Sequence, residues 1–78
     1  MEYIATFFTH FGAIQFGRKL SRQNISYRMM PVPRMISSSC GSCIRFEGEL
    51  LAGIEEDEEI EGLYRVVEDK YELILQHN

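Results

Sequence analysis

Tyr3-Ile4-Ala5-Thr6-Phe7-Phe8, with Thr9 and the helical stripe Ala13, Phe16, Gly17 and Leu20 behind it, decides how this chain folds. The first six residues are mostly aromatic or β-branched, and they predict a largely buried strand. Thr9 suits the N-cap of a helix over residues 10–23. The stripe residues recur at i, i+3, i+4 and i+7, so they share one face. Arg18, Lys19 and Arg22 lie off that face, and two of them fall in the last turn, where positive charge complements the helix dipole. Asn24 can take the left-handed conformation that ends a helix. Tyr3, Phe7, Phe8, Phe11 and Phe16 are the expected aromatic core.

Further along, Ile25–Met30 predicts a second strand, halted by Pro31-Val32-Pro33. Each proline removes a donor and disfavours helix in the residue before it, so this piece is extended and stiff. Ser37–Ser42 is a loop of small residues, and Ile44-Arg45-Phe46-Glu47 resumes as a third strand, with Cys43 at the junction. Glu49–Ile54 suggests a short helix with Leu50, Leu51 and Ile54 inward, weakened by Gly48 and Gly53. Glu55–Glu59 reads as a solvated helix end or loop. Leu63–Val67 and Tyr71–Leu75 are two strand candidates around Glu68-Asp69-Lys70, forming a hairpin or, alternatively, leading into a terminal helix from Lys70. The fold class expected is α+β: a small ferredoxin-like βαβ-β(α)β sandwich with a truncated second helix and a C-terminal β-hairpin.

The 78 residues suffice for one small domain, and 45% hydrophobic content is too apolar for disorder. A chain this short gains from association, so a homo-oligomer is a fair expectation. Charge is sharply segregated. Tyr3 to Phe46 contains six basic residues and no acid, whereas eleven acids against two bases follow from Glu47 onward, for a net charge of −4. Overall acidity argues against nonspecific nucleic-acid binding, and the positive half keeps anion binding open. No stretch reaches the roughly 18 apolar residues of a membrane span, and the N-terminus lacks the pattern of a secretory signal. Cytoplasmic localisation and reduced thiols are the expectation.

Both cysteines fall in Ser37-Ser38-Ser39-Cys40-Gly41-Ser42-Cys43. Cys-x-x-Cys spacing suits a redox dithiol, half of a metal site, or a nucleophilic thiol with a resolving neighbour. A Cys₂His₂ zinc site would need His10 and His77, which stand alone and far apart, so no metal and no cofactor is expected. His10 reads as a first-turn helix residue and His77 as a frayed tail.

Five segments carry a family likeness: Tyr3-Ile4-Ala5-Thr6-Phe7, Pro31-Val32-Pro33-Arg34, Ser38-Ser39-Cys40-Gly41, Arg45-Phe46 and Gly62-Leu63-Tyr64-Arg65-Val66. Together they resemble a family of small bacterial domains of unknown function described as putative selenium/sulfur carrier protein-like. The resemblance implies a compact α/β domain whose candidate chemical group is a single cysteine, here Cys40. It also implies partners: a sulfur or selenium donor protein such as a cysteine desulfurase, and an acceptor protein. Cys43 is an addition to that one-cysteine pattern, and the segment between Phe46 and Gly62 is short for a full second helix.

A carrier thiol must be exposed and ionisable. The small neighbours Ser39 and Gly41 leave Cys40 approachable, and the loop's N–H groups can bind an anionic sulfur. Arg34 and Arg45 bracket the loop and Arg28 lies on the adjoining strand, a setting that favours thiolate. Gly41 suits a positive φ. Cys43 is either a resolving thiol or a buried small hydrophobe. Two further readings stand beside the non-enzymatic carrier: a thiol–disulfide redox or redox-sensing module using Cys40 and Cys43, and a binding module whose basic half docks an acidic partner.

Overall fold

The computed structural model describes residues 1–49 and 53–77. Among these, one α-helix and five strands form a helix-on-sheet structure in the order β1 (Glu2–Phe7), α1 (His10–Arg22), β2 (Tyr27–Pro31), β3 (Ser42–Glu47), β4 (Ile60–Val67) and β5 (Lys70–Gln76). The sheet order is β2-β3-β1-β4-β5, and every neighbouring pair is antiparallel.

The central position of β1 explains its sequence. Tyr3, Ala5 and Phe7 face α1, whereas Ile4 pairs its side chain with Cys43 and Ile36 on the opposite face. A strand covered on both sides cannot alternate polar and apolar residues, and all of Tyr3–Phe7 is buried. The helix begins where Thr9 accepts the Gly12 N–H at 3.0 Å, and Asn24 at φ 59° follows its end. Its buried residues are Gly12, Ala13, Phe16, Gly17 and Leu20, four of which form the expected stripe. Phe16 sits between Phe7 and Phe46, with ring centroids 5.4 and 5.5 Å away. Phe11, by contrast, is 63% exposed and lies outside the core, because its position turns it away from the sheet.

Two other expectations are adjusted. The second strand runs Tyr27–Pro31 and not Ile25–Met30, with Pro31 as its last residue, opposite Ser42; β2 is an edge strand, where a missing donor costs no ladder bond. Between β3 and β4 the described residues hold a three-residue 3₁₀ turn, Ile54–Glu56, whose Ile54 is buried. The expected Leu50 and Leu51 contacts lie outside the described residues. The chain then enters a β4–β5 hairpin turned by Glu68 and Asp69, with Glu68 at φ 57°. No terminal helix forms from Lys70, since Tyr71 to Gln76 pair along β4.

The antiparallel register of β1 and β4 shifts once, and that shift positions the candidate site. Thr6 pairs with Gly62, but Phe7 pairs with Ile60, leaving Glu61 as the extra residue of a bulge. Without the bulge, Glu61 would stand opposite Phe7 and face the core under α1. With it, Ile60 takes the buried place at 0% exposure and Glu61 is released to the loop side. Gly62 packs closely there: a Cβ would come to 3.1 Å from Thr6 Oγ1 and from the Tyr64 ring, so a side chain would require those neighbours to shift.

Candidate functional site around Cys40

The segment from Val32 to Gly41 crosses the end of the sheet opposite α1. Ile36 N–H donates to Pro33 O, closing a turn with Arg34 and Met35 at its exposed tip, and Ile36 itself packs on Ile4 and Cys43. Val32 N–H donates to Gly41 O at 3.2 Å, fastening the two arms of the loop together. Gly41 turns at φ 78°, with open space where a side chain would be.

Cys40 lies at the base of this loop, next to the Val32–Gly41 fastening, half-buried between exposed Ser39 and exposed Gly41. Its N–H donates to Ser38 Oγ at 3.4 Å, and its thiol approaches Ser42 O at 3.7 Å. Ser38 in turn donates to Phe7 O on the central strand. The firmest tie is to β4. Ser39 N–H donates to Glu61 Oε1 at 2.9 Å and Ser39 Oγ donates to Glu61 Oε2 at 2.7 Å, a two-pronged contact with an ionised acceptor. Burial works against the charge of Glu61, but the hydrogen bonds from Ser39, with a smaller share from Ser38, outweigh it and hold its pKa below the ordinary carboxylate value.

Residues 2–65 match a family model described as Putative Se/S carrier protein-like. The chain belongs to this family. Comparison with curated proteins and with solved structures returns no match. The matched span takes in the Cys40 loop and Glu61 but ends before the β5 strand of this Se/S carrier-like domain.

The two sulfurs of the domain have unlike surroundings. Cys43 lies within β3 at 0% exposure, its thiol near Pro31 O at 3.7 Å, packed with Ile4 and Ile36. Burial, and secondarily the nearby Cys40, push its pKa up to about 11, against a smaller opposing pull from Arg45. Cys43 therefore has the environment of a small apolar side chain.

Arg28 and Arg45 face away from Cys40 toward a separate cleft. Arg45 donates to Glu2 across β1 and β3, and Arg28 stands opposite Arg45 on β2. Both line a shallow cleft of about 420 Å³ together with Glu2, Ser26 and Glu47, and Cys40 is not in its wall. Along β3 Ser42 and Arg45 are three positions apart, or about 10 Å. At that distance in water a unit charge is worth about 0.4 kcal/mol before salt screening. Arg34 is exposed at the neighbouring turn and is the one basic residue of the three on the loop segment itself. The acidic run stays at the surface, with Asp57 paired to Lys19.

His10 opens α1 as expected. His77 is not a frayed end: its N–H donates to Glu61 O at 2.8 Å, and its ring nitrogens lie 2.9 Å from Ile60 O and 3.1 Å from Glu55 O. Among the described residues, no group of three or more His, Cys, Asp or Glu side chains could hold a metal ion, and no helix is long and apolar enough to cross a membrane. Glu61 is the residue that sequence reading missed. The available signal was Gly62, since a glycine inside a strand pattern often marks a bulge.

Proposed function

We propose that this domain carries sulfur or selenium between proteins on Cys40 and is not itself an enzyme. The observation that carries the reading is the inequality of the thiols: Cys40 stands partly exposed in the loop among small residues, and Cys43 is sealed in the sheet with a raised pKa. A transfer between two proteins needs one reachable sulfur, not two. The Cys40 thiolate attacks the outer sulfur of a donor Cys–S–SH. The donor S–S bond breaks, the donor leaves as its thiolate, and Cys40 retains the outer sulfur as a persulfide; selenium follows the same exchange. No net oxidant or reductant is consumed. The loop N–H groups and Arg34 are the candidates to stabilise the anionic product. The fold that presents them reads as a ferredoxin-like sheet in which a 3₁₀ turn stands where a second helix would pack, with β5 added at the edge.

Mass spectrometry after incubation with a cysteine desulfurase and cysteine tests the reading. One added sulfur on Cys40, lost in Cys40→Ser and kept in Cys43→Ser, supports it. No adduct on Cys40 in the folded wild type with a donor that loads a control acceptor would remove it. The redox alternative requires a Cys40–Cys43 disulfide, and the burial of Cys43 gives it less support.

A further inference from the structure

Cys40 has only weak ties of its own, a 3.4 Å contact through its N–H and a 3.7 Å contact through its sulfur. The residue before it, however, is gripped at both its amide and its hydroxyl by one carboxylate. That carboxylate comes from a distant strand, and it reaches the loop because a bulge removes it from the core register. The same residue's carbonyl is held by His77 N–H at 2.8 Å, and its neighbour Gly62 accepts from Thr6 Oγ1 at 3.3 Å. Glu61 is thus anchored on both sides before it touches the loop.

We propose that Glu61 is the positioning residue for Cys40, clamping the Ser38–Ser39 arm of the loop to the β4 bulge so that the sulfur is presented at a fixed place. The inference rests on Cys40 as the working sulfur, but the clamp itself has its own observables. Releasing it frees the Ser39 side of the peptide that bears Cys40, leaving the Val32–Gly41 hydrogen bond as the tie on the other side. A bulge that buries Ile60 and exports an acid to a cysteine loop does more than end a strand.

The test uses the full chain as wild type, Glu61→Ala, Glu61→Gln, Ser39→Ala and the Glu61→Gln/Ser39→Ala double variant. Amide hydrogen exchange is read at Ser39 and Cys40, with Ala5 and Leu63 as references, and Cys40 alkylation is followed with neutral iodoacetamide. Glu61→Ala is expected to speed Ser39 exchange about tenfold or more, the size of one lost charge-assisted hydrogen bond. Cys40 alkylation rises with it, while the reference amides hold. Glu61→Gln, which keeps an acceptor oxygen, restores part of the protection. Non-additive effects of the Glu61→Gln and Ser39→Ala changes on the alkylation rate support a shared clamp. If Glu61→Ala loosens the whole sheet, that cycle decides, and additive effects overturn the clamp. Unchanged Ser39 exchange and unchanged alkylation in Glu61→Ala overturn it outright. Clamp behaviour without any sulfur loading of Cys40 would instead leave Glu61 as assigned and remove the carrier reading.

Discussion

Under native conditions one thiol should react and the other should not. At pH 7.5 a cysteine at the unperturbed value of 9.0 is thiolate in about one molecule in 33. Cys43, raised to about 11, is thiolate in about one in 3,000 at that pH, a deficit of about 100-fold. The more basic thiolate is also the better nucleophile, and a Brønsted slope of about 0.45 returns about 8-fold over about 2 units. Ionisation alone therefore slows Cys43 about 12-fold relative to an unstructured cysteine. Access multiplies the effect, because its side chain is wholly covered by the sheet and the Val32–Ile36 arm and must wait for local opening. The assay is alkylation with iodoacetamide at pH 7.5, read by intact mass and peptide mapping. The expected result is one adduct on Cys40, with the second appearing only when urea unfolds the chain. Alkylation of Cys43 in the folded protein within about threefold of a free-cysteine peptide would refute both the burial argument and the assignment of unequal roles.

Two other perturbations probe the frame. Phe16→Ala empties the space between Phe7 and Phe46 and should cost about 3–5 kcal/mol, read as a lower urea midpoint; for a domain of this size that is a large share of the total, and a loss below about 1 kcal/mol would show that the three-ring contact is not central. Stability should fall on acidification below pH 4.5, because Glu2, held low chiefly by its hydrogen bond from Arg45, and Glu61, held low by Ser39, both have folded pKa values beneath the ordinary 4.5. Each stabilises above its unfolded pKa and loses that contribution as pH drops through the lowered folded value. Urea unfolding of Glu2→Gln from pH 6 to pH 3 should show a shallower decline than wild type, and an identical decline would exclude the Glu2–Arg45 pair as a cause.

Legibility in the sequence followed the range of the interaction. The β1 run, the Thr9 cap, the Ala13–Leu20 stripe, Asn24 and Gly41 were all readable, because each is set by neighbours within one or two turns of chain. The hairpin of β4 and β5 was one of two readings the sequence left open, and strand pairing decided it against a terminal helix from Lys70. Charge segregation misled the reading of the site. Folding lays Glu2 beside Arg45, Asp57 beside Lys19, and Glu61 beside Ser39, so the acid-free half of the chain does not produce an acid-free loop. Phe11 looked like core by composition but not by phase, since it lies off the i, i+3, i+4 stripe.

The sequence by itself determined the local elements and the presence of a cysteine among small residues, for short-range propensity and spacing are written in consecutive positions. Only the tertiary structure separated Cys40 from Cys43. Strand register put one sulfur inside the sheet and left the other in the loop that leads into it, and a single-residue bulge then chose Ile60 for the core and Glu61 for the loop. Register depends on which strands meet and how far each is slid, and a slip of one residue reverses every side chain.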